Sequence, residues 1–187
     1  MKEKIDPEPN GSINVKWNWP SQDSIIRVIY KALPGNIQEN LDMDAMKDGA
    51  NEPDEKFKDK SLYNYPNSYD KATEWLELGG LNYETQNYKR ASFCFGIASH
   101  YITDTLQAPH CVVESGNDAQ NFEVEDDGYI PIINSLEGDI KALMQNAVDK
   151  GKKDWIKWLK TKDPAIAHSE ADLGASVVYN EIINIIR

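Results

Sequence analysis

"NYKRASFCFGIASHYITDTLQ", residues 87–107, carries apolar side chains at Phe93, Cys94, Phe95, Ile97, Ala98, Tyr101, Ile102 and Leu106, which cover a helix on nearly every side. A helix that is apolar all round belongs in the middle of a bundle rather than on its surface. His100 and Asp104 are set into it four residues apart, so they share one face and are separated by one turn. A carboxylate at such a place is costly unless something pairs with it.

The flanking segments repeat the helical period. "SQDSIIRVIYKALPG" (21–35) opens on capping residues, has apolar positions at 25, 26, 29, 30 and 33, and stops at Pro34-Gly35. "NIQENLDMDAMKDG" (36–49) predicts a shorter helix ending at Gly49, and 50–66, rich in Pro, Asp, Lys and Tyr, reads as a long loop of the functional kind. Further helices are expected over 67–84, 136–151, 152–160 and 169–187, with strand-like alternation scarce. The fold class is therefore all-α, a multi-helix bundle of about six to eight helices. Residues 1–15 read as a flexible N-terminal arm and 16–187 as a single helical domain.

The charge balance restricts partners. Lys and Arg total 20 against 31 Asp and Glu, a net charge of −11, which argues against a stable nucleic-acid complex held by phosphate contacts. Any handling of phosphates would run through metal ions. No apolar run has the length of a signal peptide or a membrane span, so the chain reads as soluble: secreted if a signal peptide was removed, otherwise cytoplasmic. Cys94 and Cys111 have a helix between them and are expected to be free thiols.

Two explanations suit the His100/Asp104 pair: a local hydrogen-bonded or ionic pair, or a shared metal ion, since imidazole and carboxylate on one face are common ligands inside bundles. His110 follows Pro109 just beyond the helix, and two of the three histidines thus lie within this short stretch. Asp54, after Pro53 in the long loop, reads by itself as a turn former.

Together, "GIASHYITDTLQAPH" (96–110) and "GANEPD" (49–54) resemble the zinc-dependent phospholipase C and S1/P1 nuclease family, as a divergent and shortened member. The His-x3-Asp pair, the later His after a Pro-containing end and the upstream G-x4-D carry the resemblance. "WNWPSQDSIIRVIYKAL" (17–33) and "EADLGASVVYNEIINIIR" (170–187) are similar to the family's opening and closing helices. The resemblance implies zinc as cofactor, with Asp54, His100 and Asp104 on one ion, Asp104 placed to bridge to another, and His110 on a second. It also implies that Asp54 positions or deprotonates the attacking water.

The chain departs from that pattern at several ligands. The downstream His-x3-Glu is replaced by Gly116 and Gln120, the first-helix His by Gln22 or Asp23, and a loop His by Tyr63 or Asn64, while Trp17 and Trp19 lie inside the chain. Three zinc ions cannot be assembled from what remains, and fewer ions or another divalent metal are implied. Glu114, Asp118 and Glu123 follow His110 and could add oxygen ligands, but in so acidic a chain they read as solvated loop acids. His168 matches no family ligand and reads as a surface or capping residue. Trp155 and Trp158 read as packing, and Tyr63, Tyr65 and Tyr69 crowd the same loop.

The function implied is metal-dependent phosphodiester hydrolysis, with a phospholipid or another phosphodiester as substrate. Alternatives are a catalytically impaired relative that serves as a metal-binding or interaction module, a single-strand nuclease, or a plain bundle with a structural His/Asp pair. Oligomeric state is left open.

Overall fold

A computed structural model describes residues 20–114, 116–125 and 128–187. The expected arm over 1–15, with Trp17 and Trp19, lies outside them. In chain order the helices are α1 (Pro20–Ala32), α2 (Gly35–Gln38), α3 (Met43–Glu52), α4 (Asn67–Glu84), α5 (Tyr88–Leu106), α6 (Ala108–Cys111), α7 (Asn117–Val124), α8 (Ile140–Thr161) and α9 (Pro164–Ile186). No strand occurs among the described residues, and the fold is all-α.

The apolar stretch is α5, buried almost without break from Ala91 to Leu106 and packed against α3, α4, α8 and α9. Its crossing with α3 is unusually close. A Cβ on Gly49 would fall on the Phe93 carbonyl and one on Gly96 would fall on the Met46 carbonyl, so the two backbones meet directly. That approach brings the Ala50 carbonyl to His100.

Residues 50–66 are not one open loop. α3 runs on to Glu52, and because Pro53 has no N–H to continue the ladder, the chain widens into a π-turn, Pro53–Phe57. The Lys58 amide closes it by donating to the Pro53 carbonyl at 2.8 Å, with Lys58 left-handed at φ 54°. Asp54 therefore rides on a helical extension. A 3₁₀ turn over Lys60–Leu62 follows.

Other boundaries also move. The helix expected over 36–49 is split, because the Asp42 carboxylate caps α3 by accepting from the amides of Asp44 and Ala45, both at 3.0 Å. The segments on either side of Gly151 form one helix, α8, since the missing side chain of Gly151 makes room for Cys111 Sγ. α9 starts at Pro164, capped by Asp163, five residues earlier than expected. His168 is thus inside a helix rather than capping one; its Nε2 lies 3.1 Å from the Glu125 carbonyl and its ring stacks on Tyr129.

The main core gathers α1, α3, α4, α5 and α9. A smaller cluster of Ala108, Phe122, Trp155, Trp158, Ile166 and Ala167 seats α6 and α7 against α8 and α9. Cys94 and Cys111 are buried free thiols, as expected. No helix among the described residues is long and apolar enough to cross a membrane.

Candidate metal centre

His100 and Asp104 lie on the inner face of α5, 1% and 9% exposed. His100 Nδ1 sits 2.9 Å from the Ala50 carbonyl, which can only accept, so Nδ1 carries the hydrogen. The other nitrogen, Nε2, then presents either a lone pair or a second proton. It lies 3.2 Å from Asp104 Oδ2 but out of line for a hydrogen bond, and among the described residues it has no hydrogen-bond partner. Two ligands of one tetrahedral zinc at about 2.0–2.1 Å stand about 3.3 Å apart. The Nε2 to Oδ2 spacing fits two ligands of a shared ion, with the Ala50 carbonyl fixing the ring from behind.

The other oxygen of Asp104 is engaged by the protein. From α1, Gln22 Nε2 donates to Asp104 Oδ1 and to Thr103 Oγ1, each at 3.1 Å. Asp54 is engaged likewise: the Tyr63 hydroxyl donates to its Oδ1 at 2.8 Å. Thr105 holds the Tyr63 backbone by donating to its carbonyl at 3.1 Å. The Tyr63 ring meets His100 edge-on at 4.9 Å and leans on His110 at 6.4 Å. Burial, reinforced by the Asp54 charge, pushes the Tyr63 hydroxyl far above the usual tyrosine range, so it stays a donor.

His110 enters from α6, whose first turn is held by Glu170: its Oε2 accepts from the Ala108 amide at 2.8 Å. Burial lowers the His110 imidazole below the ordinary histidine range, which leaves it neutral at pH 7. Its Nε2 faces Glu123 Oε1 at 3.7 Å. Glu123 is not a solvated loop acid. Its side chain is only 18% exposed, and burial, with the charges of Asp104 and Asp54, pushes its carboxyl up to about 8. Ala119 and Phe122, apolar on the inner face of α7, are the sequence signal that turns it inward. Asp118, by contrast, is exposed and pairs with Lys162 at 2.7 Å, and Glu114 is exposed.

The chain matches the zinc dependent phospholipase C family over residues 24–184. It belongs to that family. No curated protein and no solved structure matches it. At the level of the family the chain is a phospholipase C-like hydrolase, and zinc dependence and a phospholipid substrate come with the family's description.

Among the described residues no group of three or more His, Cys, Asp or Glu closes to metal-holding distance. Asp54, His100 and His110 all gather around Tyr63, and His100 and Asp104 stand as a pair 3.2 Å apart. Two side chains hydrogen-bond to the carboxylates of this phospholipase C relative: Gln22 to Asp104 and Tyr63 to Asp54.

Proposed function

We propose that the chain is a metal-dependent phosphodiester hydrolase that cleaves phospholipid head groups, working with fewer zinc ions than the family's full cluster. The observation that carries this reading is the pair of ligand atoms, His100 Nε2 and Asp104 Oδ2, 3.2 Å apart and unmatched by a hydrogen bond in a buried site. These two would hold the first ion, with Asp54 and His110 as its neighbours or as ligands of a second. Bound there, zinc supplies Lewis acidity and neutralises charge on the phosphodiester.

The protein's own groups supply the rest. Tyr63 anchors Asp54 through one carboxylate oxygen, and the other would take a proton from an attacking water. Asp54 is accordingly the catalytic residue of the proposal. Glu123, whose carboxyl burial raises to about 8 in the metal-free protein, stands beside His110 at 3.7 Å. Gln22 keeps Asp104 from turning away from His100.

A second reading, a catalytically impaired relative that binds a metal or a partner, draws support from Gln22 and Tyr63, whose hydrogen bonds engage both carboxylates. Elemental analysis of protein purified without chelator, paired with turnover of phosphatidylcholine, separates the two. The hydrolase holds at least one transition metal per chain and loses turnover on chelation. Metal without turnover leaves the impaired relative, and neither metal nor turnover sinks the hydrolase.

A further inference from the structure

α8 presents two unlike faces. Inward, Trp155 and Trp158 stack at 5.5 Å and meet Phe122 edge-on, at 5.9 and 5.2 Å, forming the floor on which α6 and α7 rest. Outward, Ile156 is 56% and Leu159 39% exposed, large apolar side chains left on the surface. Lys153, Lys157 and Lys160 are interleaved with them at helical spacing, all exposed.

The local charge opposes that of the whole. Residues 151–162, "GKKDWIKWLKTK", hold five lysines and one aspartate in a chain with a net charge of −11. Lys150, Lys152 and Lys162 are matched by Asp154, Asp149 and Asp118. None of the ion pairs among the described residues engages Lys153, Lys157 or Lys160. The first and last of these three are seven residues apart, about 10 Å of helix, close to the screening length in physiological salt, so they act as one positive patch.

We propose that this outward face of α8 docks the protein on an anionic phospholipid surface, with Ile156 and Leu159 entering the interfacial layer and Lys153, Lys157 and Lys160 meeting the phosphates. An anionic bilayer is the partner that offers negative charge and an apolar layer within one side chain's length. A nucleic acid fits less well: the tryptophans that would stack on bases are buried, and Ile156 and Leu159 would lie unused against a phosphate backbone. The inference deepens the phospholipase reading, on which it rests only for the choice of lipid. His110 and Glu123 stand on helices seated on the inner face of α8, so docking would hold the site helices behind α8, about one helix diameter from the membrane.

Vesicle sedimentation tests it. The full chain should pellet with phosphatidylcholine vesicles containing about 30% phosphatidylglycerol, hardly at all with phosphatidylcholine alone, and should be released by high salt. K153Q/K157Q/K160Q should weaken partitioning about 100-fold, at roughly one lysine's worth of attraction for each charge removed. I156S/L159S should weaken it as well, while K31Q/K71Q/K89Q, with the same change of net charge elsewhere, should not. The salt response of the unmodified chain tests the charge contribution without any substitution. Absence of pelleting with anionic vesicles, equal pelleting with neutral ones, or equal loss in the two lysine triples overturns the proposal. So does retention of an oligonucleotide or a protein through these lysines without vesicle binding. Hydrolysis of a soluble short-chain phosphodiester is followed alongside. Vesicle binding without hydrolysis removes the phospholipase reading and keeps the docking face; hydrolysis without vesicle binding does the reverse.

Discussion

Asp104→Asn separates a metal ligand from a structural acid. The substitution preserves shape. The oxygen of the new side-chain amide can still accept from Gln22, which now reaches Asp104 Oδ1 at 3.1 Å, and its nitrogen takes the place of Asp104 Oδ2, 3.2 Å from His100 Nε2 and out of line for a hydrogen bond as the carboxylate oxygen is. A charge at a position 9% exposed is also removed, so the metal-free variant should melt no lower than the parent. With zinc the order reverses. Loss of an outer partner of a ligand weakens metal binding about 10–100-fold, and loss of a direct anionic ligand belongs at or beyond the upper end. At free zinc about 100 times the dissociation constant, binding stabilises the parent by about 2.7 kcal/mol; weakened 100-fold, it stabilises the variant by about 0.4 kcal/mol. The difference of about 2.3 kcal/mol corresponds to about 5–9 °C for a chain of this size. Thermal melts followed by circular dichroism, with zinc and with chelator, read all four states. The same zinc-induced rise in both proteins, or none in the parent, would refute the assignment of Asp104.

Other consequences are open to direct measurement. In the metal-free protein the Glu123 carboxyl is raised to about 8 from an ordinary value of 4.5, so between those values the folded state binds more protons than the unfolded one. Its contribution is complete below about 4.5 and is lost as pH rises toward 8; urea titrations should show Glu123→Gln losing this fall, relative to the parent, by a few kcal/mol. Gly96→Ala puts a methyl group on the Met46 carbonyl, where only backbone could give way, and should lose about 3 kcal/mol or more by denaturation. Tyr63→Phe leaves the Asp54 oxygen without its donor at a residue 3% exposed, and should lose about 1–3 kcal/mol in the same assay.

What the sequence reveals here is what local periodicity can report. The all-round apolar pattern of α5 and the His100/Asp104 spacing are visible because a helix repeats within a few residues. The contacts that surround the pair are long-range and leave no such mark. Gln22 is 82 residues from Asp104, and the Ala50 carbonyl is 50 residues from His100. Gly49 reads as a helix stop, yet its role is to let α3 lie on α5. Glu123 and Glu170 look like two acids among many until α7 and α9 turn them inward, one toward His110 and one onto the Ala108 amide. Composition hides them, because an abundance of exposed carboxylates makes a buried one look ordinary.

The most direct test is an anomalous difference map, recorded at the zinc edge from crystals grown without chelator. A shared ion predicts a peak within about 2.0–2.2 Å of both His100 Nε2 and Asp104 Oδ2. A map without a peak there, with the imidazole turned to hydrogen-bond straight to the carboxylate, would contradict it.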